Sequence, residues 1–239
     1  RATTATRKAR DADASAAAMK EELASAQALT AEVLKQTEAY EKMSSLGKMP
    51  PWSSTTRARV TSGGTTMRKL TAANAGSLAR ESMEWNMAYG QFARLVGPRF
   101  VGSAVVSIDV YSSPAVEKQF AACKENFASC GIPTEEIWIF HGTAPKNIEP
   151  IMTSGFKVGG RDPGVPVANG KVHGNGVYSA KGPDTPIHYS QGGHPIILAR
   201  AMQGNIGAQE RSDCWEPHGD WAIFREGKQL LPTYVVHFR

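Results

Sequence analysis

Apolar and polar positions divide the chain into three zones. Residues 11–45 are dominated by Ala, Glu, Lys, Leu and Gln, all strong helix formers. Leu23, Ala26, Ala31, Val33 and Leu34 keep no strict heptad, so the pattern predicts one long amphipathic helix that docks on a surface, not a coiled coil. Pro50 and Pro51 cannot continue it. Residues 53–77 exchange large apolar side chains for Ser, Thr, Arg and Gly, and read as a linker or surface loop; an ordered substrate-binding arm is the alternative. From residue 78 onward the apolar positions become regular. Residues 78–95 and 114–129 follow the helical period, and residues 148–154 form a short helix stopped by Gly155. AVVSIDVY (104–111) and EIWIF (136–140) read as strands, as do the apolar runs at 176–180, 196–201, 221–224 and 234–238. Residues 159–176 read as a long loop. Helices early and strands late predict an α+β domain with antiparallel pairing over residues 78–239, preceded by a helical extension (1–52) and the linker (53–77).

Composition narrows this picture. The chain has 239 residues, 41% of them hydrophobic, enough to bury a globular core. No apolar run approaches the roughly 20 residues of a membrane span, so no membrane partner is expected. Residues 1–20 lack the apolar centre of a signal peptide, and a start at Arg1 fits an internal fragment or a processed chain. Three cysteines, Cys123, Cys130 and Cys214, suit a reducing compartment rather than a disulfide scaffold; Cys123 and Cys130 read as small buried hydrophobes. The net charge of +5 is compatible with a polyanionic partner, but it is spread out, with small basic groups only at Arg7, Lys8 and Arg10 and at Arg57 and Arg59.

Candidate chemistry concentrates in the last zone. GNGVYSAKGPDTPIHYS (174–190) sets Tyr178 and Tyr189 on either side of a segment holding Pro183, Asp184, Thr185 and Pro186, which is not expected to be continuous helix or strand. Two rings so placed can line one slot that holds something flat. In WIFHGT (138–143), His141 ends a buried strand, Gly142 lets backbone approach a ligand, and Thr143 adds a hydroxyl. Asp220 directly precedes the apolar run 221–224 and so sits at a strand edge. Cys214 and His218 have a ligand-like gap, but two candidates do not make a zinc site.

The ordered set FHGT, SGF (154–156), GNGVYSA, the second tyrosine, IILARAMQG (196–204), DWAIF and QLLPTYVV resembles the catalytic domain of the poly(ADP-ribose) polymerase family, the diphtheria-toxin-like ADP-ribosyltransferases. The likeness covers roughly residues 104–239 and rests on order and spacing, since no one motif is specific. It implies two small antiparallel sheets splayed around an NAD cleft, with NAD as co-substrate. It implies that His141 bonds a ribose hydroxyl, that the Gly142 backbone clamps the nicotinamide carboxamide, that Tyr189 stacks on the nicotinamide ring and that Tyr178 closes the opposite side. Thr143 and Ala180 belong to the same NAD-contacting motifs, and Arg161, with Asp162, lies in the loop expected over the cleft, within reach of the pyrophosphate or adenosine ribose. His173 and His188 flank these motifs. An intracellular protein, nuclear or cytoplasmic, is implied, with a protein acceptor expected and nucleic-acid ends open.

Two departures from the family pattern bear on the reaction. Polymer-forming relatives carry glutamate at the third catalytic position. An alignment with one extra residue in the turn 225–228 puts Asp220 there and keeps the strand alternation in phase; without it the position falls to Trp221. An aspartate is a methylene shorter, so transfer of a single ADP-ribose is expected rather than a polymer. Pro186 stands where relatives often have a serine that bonds the carboxamide, and Thr185 is its nearest substitute. An NAD glycohydrolase and an inactive module that binds NAD or ADP-ribose are the rival readings.

Overall fold

The computed structural model describes residues 2–75, 79–97, 104–166, 172–190 and 195–239. The chain divides into two compact units, residues 1–49 and 50–239. The first is one helix, α1 (Ala2–Ser45), which starts nearer the N-terminus than the composition break at residue 11 suggested. Gly47 ends it at φ +63°. Its N–H donates to the Ser44 carbonyl at 3.0 Å and the Lys48 N–H to Met43 at 2.9 Å, which satisfies carbonyls the helix leaves open.

Among the described residues, the second unit is built on nine strands: β1 (Arg59–Val60), β2 (Thr66–Leu70), β3 (Val105–Ser112), β4 (Glu136–His141), β5 (Val177–Ala180), β6 (Ile196–Met202), β7 (Cys214–Trp215), β8 (Trp221–Phe224) and β9 (Leu230–Phe238). Their order is β1-β2-β3-β9-β6-β4-β5-β8-β7, and all neighbours are antiparallel. This confirms the α+β class and corrects the expectation of two separate sheets. One hydrogen-bonded sheet is present, and its two parts meet at a single residue pair, Phe140 opposite Ala180. Residues 53–77 are likewise more than a linker. Thr66–Leu70 pairs along its whole length with β3, from Thr66 opposite Ser112 to Leu70 opposite Ile108. Its weakly apolar sequence forms a strand because β3 offers it an otherwise open edge.

Helices cover the sheet. α2 (Arg80–Leu95) buries Trp85, Ala88 and Phe92 at helical spacing, and Phe92 meets Phe238 of β9 at 5.4 Å between ring centres. The same face carries buried Glu84, which accepts from the Tyr234 hydroxyl at 2.5 Å and from Arg80 Nε at 3.0 Å. α3 (Pro114–Ser129) opens on a proline, whose missing N–H costs nothing in a first turn, and packs Phe120, Cys123 and Phe127 on Met202. Cys123 is buried as expected, but Cys130, just past the helix, is exposed. α4 (Ile148–Ser154) inserts Met152 into the main core, which runs through both parts of the sheet: Ile139, Ile197 and Val235 on one side of the Phe140–Ala180 pair, Val177, Ala222 and Phe224 on the other.

The segment between the two tyrosines also departs from expectation. Asp184–Tyr189 forms a short helix, α5, despite Pro186. The proline sits in the first turn, where its missing N–H has no intrahelical partner to lose. Asp184 anchors this turn by accepting from the Gly97 N–H at 2.8 Å. Among the described residues, no helix is long and apolar enough to cross a membrane.

Candidate functional site

Part of the candidate set lies where the two parts of the sheet meet. His141 is the last residue of β4, and its Nδ1 lies 2.8 Å from the Tyr178 carbonyl of β5. A carbonyl only accepts, so Nδ1 carries the proton and Nε2 is left with its lone pair. Burial pushes the imidazole pKa below its ordinary value, and the Tyr178 bond opposes this only in part. The ring is therefore neutral near pH 7, in one tautomer, with Nε2 an acceptor. Phe156 steadies it from the side, edge-on at 5.1 Å. The backbone of Phe156 is in turn packed against Gly227, where a Cβ would stand 1.9 Å from the Phe156 carbonyl oxygen.

Gly142 has no room for a side chain. A Cβ there would fall 1.9 Å from the Pro186 carbonyl oxygen, which is backbone and cannot swing aside. The glycine thus lets α5 close against the end of β4. Thr143 follows, its hydroxyl accepting from Asn147 Nδ2 at 3.0 Å. Thr185 is half-buried in α5, and Ala180 is fully buried opposite both Phe140 and Trp221.

Tyr178 and Tyr189 lie beside the same third ring. Trp221 stands 6.4 Å from Tyr178 and 6.5 Å from Tyr189, edge-on to each at 73° and 78°. His218 and His173 join it at 4.8 Å and 5.6 Å. Tyr189 is 42% exposed, so one face of this ring group remains open to a ligand. The Tyr178 hydroxyl is tied back into the chain: it donates to the Gly174 carbonyl at 2.9 Å and accepts from the His173 N–H at 3.1 Å. Burial raises its pKa, so it stays protonated and can make that donation.

Tyr178 faces Ile223 and Ala180 faces Trp221, so Trp221 shares the side of the sheet that carries Tyr178, whereas Asp220 lies before β8, in a turn. Asp220 has a local task instead. Its carboxylate accepts from the Gly182 N–H at 3.2 Å and its carbonyl from the Lys181 N–H at 2.8 Å, closing the turn between β5 and α5. Of the two candidates for the third position, Asp220 is thus bonded into the turn and Trp221 stands among the rings. Arg161 is exposed and lies 3.7 Å from Asp162, whose other oxygen accepts from the Val158 N–H at 2.6 Å. Of the loop expected at 159–176, residues 167–171 lie outside the described residues. His188 is exposed.

Three supporting roles went unseen in the sequence. The His173 backbone holds Tyr178 and also accepts from Trp215 Nε1 at 2.7 Å. Buried Gln229 donates to the Met202 and Asp213 carbonyls at 3.1 Å each, fixing the turn that leads from β8 to β9. Glu210 caps the backbone of Asn175. A glutamine just before a terminal strand was the one available signal; the other two depend on chain segments far apart in sequence. Compared with models of known protein families and with curated proteins, the sequence matches none.

Proposed function

We propose that the chain is an NAD-dependent ADP-ribosyltransferase that moves a single ADP-ribose to a protein acceptor and releases nicotinamide. With it goes the ADP-ribosyltransferase fold, the two parts of the sheet around the Phe140–Ala180 pair standing for its two splayed sheets, and an intracellular setting, nuclear or cytoplasmic.

One observation carries the reading: a neutral, tautomer-fixed His141 and a side-chain-free Gly142 lie at the strand junction beside the ring group of Tyr178, Tyr189 and Trp221. Each part has a use in this reaction. The bond from the ribose C1′ to the nicotinamide nitrogen breaks, and its electron pair leaves with neutral nicotinamide. The acceptor's lone pair then bonds C1′ and the acceptor loses its proton. His141 Nε2 accepts a ribose hydroxyl and orients the sugar. The Gly142 backbone holds the carboxamide, and Tyr189 and Tyr178 hold the flat ring. Trp221 contributes apolar area that keeps stray water from the ribosyl centre. It offers no carboxylate to activate a second ADP-ribose, which is why one unit is transferred and no polymer grows.

Trp221 also favours the second reading, a module that binds NAD without turnover. Labelled NAD with a protein acceptor separates the two. Wild type is expected to attach one ADP-ribose per site, with Asp220→Ala close to wild type and His141→Ala and Tyr189→Ala reduced by about 10² or more. Binding of NAD without release of nicotinamide establishes the module instead. Polymer formation, or loss of transfer in Asp220→Ala alone, overturns the role given to Trp221.

A further inference from the structure

Glu210 is, among the described residues other than glycine, the one with a positive φ, +59°. A glutamate gains nothing intrinsically from that backbone region, and residues held there cluster where surrounding structure forces them. The force here comes from a closed loop. Asn205 and Asp213 bracket it: Asp213 Oδ2 accepts from the Asn205 N–H at 2.9 Å and the Asn205 carbonyl from the Asp213 N–H at 3.0 Å. Asp213 is held from behind, its carbonyl accepting from Gln229 Nε2 at 3.1 Å and from the Arg225 N–H at 2.9 Å. Glu210 rides on this fixed base and reaches across to the segment before β5. Its Oε1 accepts from the Asn175 N–H at 2.6 Å and from Asn175 Nδ2 at 3.2 Å. The fit includes Gly174, at φ +84°, where a Cβ would stand 2.7 Å from the same Oε1.

The clasped segment is the one that fixes Tyr178. The His173 N–H and the Gly174 carbonyl hold the Tyr178 hydroxyl, and the Asn175 N–H, next along, is held by Glu210. We infer that Glu210 is a positioning residue for the site: its carboxylate locks residues 173–175 in the conformation that holds the Tyr178 ring where a nicotinamide is to be stacked. The inference rests on the proposed NAD reaction for its consequence, though not for the clasp itself. It also explains why a glutamate is kept in a conformation that glycine or asparagine would adopt more readily.

Three variants and two readouts test it. Glu210→Ala removes the acceptor, Glu210→Gln keeps an oxygen at Oε1, and Glu210→Gly removes the acceptor while relieving the backbone. Hydrogen exchange at the Asn175 and His173 amides is expected to accelerate about tenfold or more in Glu210→Ala and Glu210→Gly and to stay near wild type in Glu210→Gln, since the two hydrogen bonds from Asn175 to Oε1 are at stake. With NAD, the KM is expected to rise by a similar factor of about ten in the first two, with kcat changed less and Glu210→Gln largely restored. Unchanged exchange in Glu210→Ala overturns the clasp. Changed exchange with an unchanged KM overturns its role in the site. If wild type neither binds nor cleaves NAD, the proposed function and the role drawn from it both fall, while the exchange data still decide whether Glu210 holds the segment.

Discussion

The two parts of the sheet are built differently. From β2 to β4, through β3, β9 and β6, neighbours pair over five or six residues each. The β5–β8–β7 part is shorter, with four pairs between β5 and β8 and two between β8 and β7. One pair, Phe140 opposite Ala180, links them. The long part supplies stability, with Tyr234 and Phe238 packed under α2. The short part supplies the rings. Of the residues proposed to hold NAD, His141, Gly142 and Tyr178 lie at or just beyond the seam, where backbone pairing stops but the apolar core continues beneath. The sheet parts along its hydrogen bonds there while staying joined through its core.

That contrast can be broken in several ways. The largest effect is expected from Phe224→Ala, which empties a fully buried ring position in the short part. If the core is shared, it costs about 3–5 kcal/mol in a single denaturant transition for the whole second unit. Two separate transitions would mean the parts fold independently. Next, low pH should weaken the second unit at the start of α2. Burial by itself would raise the pKa of Glu81, but hydrogen bonds from Ser53 and Thr56 outweigh it and hold the carboxyl at about 2, against an ordinary 4.5. A depressed pKa stabilises above the unfolded value, so about 3 kcal/mol is present above pH 4.5 and fades as pH falls toward 2. Glu81→Gln should flatten that acid limb in pH-dependent unfolding.

Gly142→Ala acts at the seam itself. The new methyl meets the Pro186 backbone, so α5 must shift, and NAD kcat/KM is expected to fall about 10²-fold. Hydrogen exchange in β3 and β9 should stay as in wild type, and loss of protection there would show that the seam is not a local feature. The smallest effect is Tyr234→Phe, which removes a hydroxyl donor to buried Glu84 and should cost about 1–2 kcal/mol of stability with NAD kinetics unchanged. Altered kinetics would tie α2 to the site.

Periodicity made much of this legible. The strands at AVVSIDVY and EIWIF and the helix from Pro114 stand where the pattern set them, because alternation and helical spacing report burial directly. Thr66–Leu70 was hidden, since Arg68 and Lys69 break its alternation and only β3 makes it a strand. α5 was hidden by reading Pro186 as a breaker when it occupies a first turn. His141, Gly142 and the two tyrosines were readable as types placed at element ends. The surroundings of Asp220 and Trp221 were not, because they turn on the conformation of the Arg225–Gln229 turn, which Gln229 fixes through carbonyls of distant segments. Glu210 had no local signal at all.

The proposed reaction breaks the bond between nicotinamide and ribose at this seam. Nicotinamide release from NAD by wild type and by His141→Ala, each checked for an intact fold by thermal unfolding, tests it most directly. Release by wild type is expected, falling at least about 10²-fold in a folded His141→Ala protein. Equal release by both, or none by wild type at saturating NAD, would contradict it.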